Sequence, residues 1–94
     1  MNKKQRTDFH AFIMIHLEEV QNLVDRVDTL LRLQATGTSY DLSKKLRISR
    51  ASVIRLLHSL RAQGAPILYC KYRRTYYYKD NVKIEIIFRV ITLG

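Results

Sequence analysis

A chain of 94 residues has room for one domain, able to bury roughly 60% of its unfolded surface, which excludes a multidomain enzyme. Hydrophobic residues at 47% and charged residues at 27% are the mix of an ordered soluble domain. The longest apolar run, residues 11–15, is far short of the roughly 20 residues of a bilayer span and precedes no small-residue cleavage site, so no membrane partner is expected.

The formal net charge is +9 and the pI near 10.1, a level associated with nucleic acid or an anionic surface. Residues 1–35 hold five basic and five acidic side chains, whereas residues 36–94 hold twelve basic and three acidic. The later part of the chain therefore carries the whole excess. The single cysteine, Cys70, has no intrachain partner, which fits a reducing cytoplasm.

In chain order, residues 1–17 read as an N-terminal extension. Phe9, Ala11, Ile13, Ile15 and Leu17 alternate as a strand would, while Phe9, Phe12, Ile13 and His16 suit a helix; a helix continuous with the next one is the favoured of the two. From about Glu18, Val20, Leu23, Val24, Val27, Leu30 and Leu31 keep the spacing of an amphipathic helix, ended by Thr36 and Gly37. The carboxylates Glu18, Glu19, Asp25 and Asp28 are assigned to its outer face. Thr38 is an N-cap with Asp41 three residues on, an acidic variant of the capping box, and opens a short helix with Leu42 and Leu46 inward. Ser49 caps a third helix whose buried stripe is Val53, Leu57 and Leu60, widened by Leu56. Gly64 supplies a left-handed residue past its end and Pro66 forbids continuation.

Beyond Pro66 the pattern changes to strands. Ile67, Leu68, Tyr69 and Cys70 form one run and Tyr76, Tyr77 and Tyr78 another, joined by the basic stretch Lys71, Tyr72, Arg73, Arg74 and Thr75. That predicts a hairpin with a cationic, mobile loop of four or five residues, since no Asn-Gly turn is present. From Val82, the residues Val82, Ile84, Ile86, Phe88 and Val90 alternate with polar or outward positions, which predicts a third strand over residues 81–94, packed on the domain or pairing with a partner. The fold class is thus α+β, with a single domain over residues 18–80.

Helix, short helix, tight turn, capped helix and basic hairpin is the order of a winged helix-turn-helix. The stretch "VDTLLRLQATGTSYDLSKKLRISRASVIRLLHSLRAQGAPILYCKYRRTYYY" resembles the winged-helix domain of DeoR-type regulators and of the biotin repressor's N-terminal region. Its most specific parts are "ISRASVIRLLHSLRAQGAPI" and "TGTSYDLSKKL". The resemblance implies a three-helix bundle with a β-hairpin wing, a DNA-reading helix beginning at Ser49, and a DNA-backbone contact at Arg55. Arg47 stands where the family's turn has glycine, a left-handed position that costs another residue on the order of 1 kcal/mol.

Turning Val53, Leu57 and Leu60 inward turns Ala51, Ser52, Arg55, His58 and Ser59 outward, with Arg50 in the exposed first turn. This face has no carboxylate. Arg50 and Arg55 reach phosphate or the acceptors of guanine, Ser52 donates to either, Ala51 permits close approach, and the start of the Ser49-capped helix favours a phosphate. Lys44, Lys45 and Arg47, with Lys71, Arg73 and Arg74 on the hairpin, are the candidate phosphate contacts. Each cluster alone has a plainer reading as a solvated surface; together they point to one binding side. The tyrosines fit a pleated sheet surface better than a base-stacking platform, His58 reads as an exposed bystander and Cys70 as a half-buried packing residue.

Scattered histidines, one cysteine and only three glycines supply neither a metal motif nor a phosphate loop nor a nucleophile turn. The expectation is no enzyme, no cofactor and no small-molecule effector site. The function expected is that of a bacterial, cytoplasmic transcriptional regulator binding double-stranded DNA, with homodimerisation through the first helix or the C-terminal strand. Two alternatives are a protein-interaction module, favoured by Ile54 and the alternating last segment, and an RNA or single-strand binder using the tyrosines.

Overall fold

Apolar spacing and capping side chains set the helices. The computed structural model describes residues 16–94; the expectations for residues 1–15 lie outside the described residues. Three helices, α1 (Leu17–Arg32), α2 (Ser39–Leu46) and α3 (Arg50–Ala62), precede an antiparallel hairpin of β1 (Ile67–Cys70) and β2 (Thr75–Tyr78), an α+β arrangement. The core is made of Val27 and Leu31 from α1, Leu42 and Leu46 from α2, Val53, Leu57 and Leu60 from α3, and Ile67 and Tyr78 from the hairpin, with Leu56 partly buried against it.

All three helices end in the same way. A left-handed residue follows each one, its amide bonding three residues back and the next amide five back, which satisfies the last carbonyls. Gln34 (φ 53°), Arg47 (φ 58°) and Gly64 (φ 104°) hold these positions, with bonds to Leu31 and Leu30, to Lys44 and Ser43, and to Arg61 and Leu60. The α1 terminus therefore falls at Arg32, ahead of the Thr36 and Gly37 stop read from the sequence. Arg47 holds its left-handed conformation without being glycine, at a cost on the order of 1 kcal/mol.

Local chemistry also starts the second and third helices. Thr38 Oγ1 accepts the Asp41 amide at 3.2 Å while Asp41 Oδ2 accepts the Thr38 amide at 2.9 Å, a reciprocal capping box. These bonds from Thr38 hold the Asp41 carboxyl below its ordinary pKa. Gly37 is needed beside it, because at φ 71° an added Cβ would lie 2.6 Å from Asp41 Cβ. Ser49 Oγ accepts the Ser52 amide at 3.0 Å and opens α3.

In the hairpin, Ile67 pairs with Tyr78 and Cys70 with Thr75, leaving a four-residue loop, residues 71–74, with Arg74 left-handed at φ 52°. Thr75 belongs to β2, not to the loop. Its hydroxyl accepts the buried Thr36 amide at 3.1 Å, while Thr36 Oγ1 accepts the Tyr76 amide at 2.8 Å. Two threonine hydroxyls thus join the α1–α2 loop to the edge of β2, where a further strand would otherwise satisfy those amides.

Two further expectations are corrected. Asp28 does not lie on the outer face of α1: it is 1% exposed, because it sits four residues after Val24 and three before Leu31, on the inward stripe. Its Oδ1 accepts the Tyr78 hydroxyl at 2.8 Å and the Ile84 amide at 2.9 Å, and its Oδ2 accepts Arg32 Nε at 3.0 Å. The segment from Val82 is not a third strand, and the sheet of the described residues has two strands. The expected alternation holds only as far as Ile86, with Val82, Ile84 and Ile86 half-buried between exposed Lys83, Glu85 and Ile87; Phe88 and Val90, expected to face inward, are exposed. The carboxylate of Asp28 takes the Ile84 amide, so the segment packs on the domain without forming a ladder.

Candidate nucleic-acid interface

The start of α3 is open to solvent on its outer side. Ser49, Arg50, Ala51 and Arg55 are exposed and Ser52 half-buried, while Val53 and Leu57, one step round the helix, are fully buried. The first turn contains no acidic residue, so nothing offsets the partial positive charge of its free amides. Ser49 Oγ donates to Ser52 Oγ at 2.9 Å, leaving the Ser52 hydroxyl proton directed away from its own cap.

Arg50 does more than present charge. Its Nε donates to Ser39 Oγ at 2.8 Å, bracing the start of α3 against the start of α2 and leaving the outer guanidinium nitrogens for other acceptors. Arg55 makes no such contact among the described residues, so its side chain stays available. His58 and Ser59 are exposed further along the same helix.

The six cations assigned to phosphate divide into two groups. Arg47, Lys71 and Arg74 are exposed without a hydrogen bond or ion pair among the described residues. Lys44 lies over the Tyr40 ring, 4.4 Å from its centroid; contact with the Tyr40 side chain, then the charge of Asp41, raises its pKa and keeps it cationic. Lys45 Nζ donates to the Ala35 carbonyl, and Arg73 donates to Gln34 Oε1. Those two cations reach the α1–α2 loop and hold local structure.

Sequence reasoning missed further cations that act inside the fold. Arg26 Nη2 donates to the Lys45 carbonyl at 2.6 Å and Arg61 Nε to the Ile67 carbonyl at 3.0 Å, tying α1 to the end of α2 and α3 to β1. Their partners are 19 and 6 residues away, and no local pattern announces such bonds. The tyrosines behave as sheet residues: Tyr69 and Tyr76 touch across the strands with centroids 4.7 Å apart, and Tyr78 is buried. Only Tyr72, in the loop, is fully exposed. Cys70 is half-buried and accepts the Arg73 amide.

Among the described residues no group of three or more His, Cys, Asp or Glu could hold a metal ion, and no helix is long and apolar enough to cross a membrane. Comparison with family models, curated proteins and solved structures finds none that matches this chain.

Proposed function

We propose that the chain is a winged helix-turn-helix that binds double-stranded DNA as a regulator of transcription, with α3 in the major groove and the hairpin as the wing. The observation that carries this reading is the exposed start of α3, capped by Ser49, free of carboxylates and bearing Arg50 in its first turn and Arg55 in its second, within a strongly cationic chain. Arg55 reaches backbone phosphate or guanine, Ser52 donates beside it, and Ala51 lets the helix approach closely. Lys44, Arg47, Lys71 and Arg74 neutralise phosphates on either side. Lys45 and Arg73 are already engaged and serve mainly to fix the α1–α2 loop.

With Arg50, Arg55, Lys44, Arg47, Lys71 and Arg74 making about six phosphate-type contacts, log K falls against log salt with a slope of about −5. The test is a titration of duplex DNA, single strands and structured RNA at two salt concentrations, with Arg55→Ala and Arg50→Ala each alongside. Duplex preference with a clear loss for Arg55→Ala supports the reading. Absence of duplex binding at low salt ends it, and unchanged affinity for Arg55→Ala removes α3 as the reader.

A second reading as a protein-interaction module is favoured by Ile54, 48% exposed on α3. In that case Ile54→Ser abolishes partner capture while duplex affinity is absent throughout.

A further inference from the structure

Beyond residue 79 the chain makes no backbone-to-backbone hydrogen bond among the described residues, the last being the Lys79 amide to the Pro66 carbonyl. Yet the segment is strongly β-forming, and it holds five of the large hydrophobics that remain exposed: Ile87, Phe88, Val90, Ile91 and Leu93. Alternating burial from Val82 to Ile87 marks the run as extended, and apart from the Ile84 amide its backbone has no partner among the described residues, so it presents a strand edge open to pairing.

The geometry fixes which edge is open. Successive amides of an extended chain point to opposite edges. The Ile84 amide is directed at Asp28, so the amides of Lys83, Glu85, Ile87 and Arg89 point to the other edge. The same parity places Lys83, Glu85 and Ile87 outward and Ile84 and Ile86 on the domain, as their exposure shows.

We propose that this segment pairs antiparallel with the same segment of a second copy of the chain, about a two-fold axis through Ile87. A symmetric pairing through one edge restricts the dyad to particular residues, and charge selects among them. Centring on Ile86 sets Lys83 against Arg89, centring on Arg89 sets arginine against itself, and centring on Glu85 sets glutamate against itself. Centring on Phe88 leaves Glu85 opposite Ile91, and centring on Ile84 offsets its Lys83–Glu85 pairs by setting Lys79 against Arg89. Centring on Ile87 alone places Glu85 opposite Arg89, and symmetry supplies that ion pair twice. Ile84 then faces Val90 and Ile86 faces Phe88, covering apolar surface that one copy leaves in water. Among the described residues Glu85 makes only an exposed contact, with Lys83 Nζ at 3.7 Å, which yields readily to Arg89. The proposal concerns association alone and stands whether or not the chain binds DNA.

The experiment is sedimentation equilibrium of the full chain without nucleic acid, on the parent, Glu85→Arg, Arg89→Glu and the double exchange. Either single reversal replaces two attractions by two repulsions and raises the dimer dissociation constant about tenfold or more. The double exchange returns it to near the parent value. Ile87→Pro, at a position 70% exposed in the single chain, removes the central amide and gives a monomer; circular dichroism of each variant verifies folding. A parent chain that stays monomeric up to millimolar concentration, or a dimer indifferent to the single reversals, overturns the proposal. So does a double exchange as weak as the singles.

Discussion

Replacing Asp28 by alanine removes the acceptor that joins α1, the hairpin and the C-terminal segment. The buried Tyr78 hydroxyl loses its partner, which costs about 1–3 kcal/mol. The half-buried Ile84 amide loses a charge-assisted bond but regains water, adding about 1 kcal/mol. Arg32, whose side chain is 44% exposed, returns to solvent and contributes little after screening. The net loss is about 2–4 kcal/mol, a large share of the stability available to a domain of this size. With a urea slope of about 1 kcal/mol/M, the midpoint falls by about 2–4 M or the variant is unfolded from the start. Urea titration followed by circular dichroism reads this directly. Tyr78→Phe leaves Asp28 its two other donors and costs about 1–2 kcal/mol. The double variant is less than additive by at least about 1 kcal/mol, because both changes remove the same bond. A loss below about 0.5 kcal/mol for Asp28→Ala, or strict additivity, would refute the view that this carboxylate is a structural node.

Tyr78 gives a pH dependence with a defined sign. Burial first, and then its bond to Asp28, raise the phenol pKa well above the ordinary value. Below pH about 10 the phenol is protonated in both folded and unfolded chains and its contribution is fully present. Above that, the unfolded chain releases a proton that the folded chain retains, so stability falls by up to about 1.4 kcal/mol per pH unit; Tyr78→Phe removes that component in alkaline urea titrations. Arg47→Gly relieves the left-handed strain and raises stability by about 1 kcal/mol in thermal melts, while on the proposed reading it lowers duplex affinity and makes the salt slope about one unit shallower. Thr36→Val leaves the Tyr76 amide without its acceptor and costs about 1–3 kcal/mol; an unchanged melting temperature would contradict the role assigned to that hydroxyl.

What the sequence made legible was local. The Thr38 and Asp41 spacing specifies a reciprocal cap within four residues, and the Ser49 cap and the Val53, Leu57 and Leu60 stripe likewise depend on neighbours along one helix. The charge of Asp28 points to the outer face, while its spacing from Val24 and Leu31 places it on the inward stripe, and the spacing prevails. The last segment shows why alternation is a partial signal: period two states which side chains face a surface but not where the amides bond. Thr75 reads as loop from its neighbours because what anchors it, the Thr36 amide and hydroxyl against its own hydroxyl, lies 39 residues away. Among the candidate contacts, charge alone could not separate Arg47 and Lys71 from Lys45 and Arg73, whose acceptors, Ala35 and Gln34, come together only in the folded chain.

The hairpin is gripped at both extremities, by Thr36 and Gln34 near its loop and by Asp28 at its opposite end. These bonds couple the hairpin to α1 and to the loop that follows it. Whatever meets residues 71–74 encounters side chains on a lever of fixed angle, and the ordering entropy of contact is confined to a few rotamers, not to two strands.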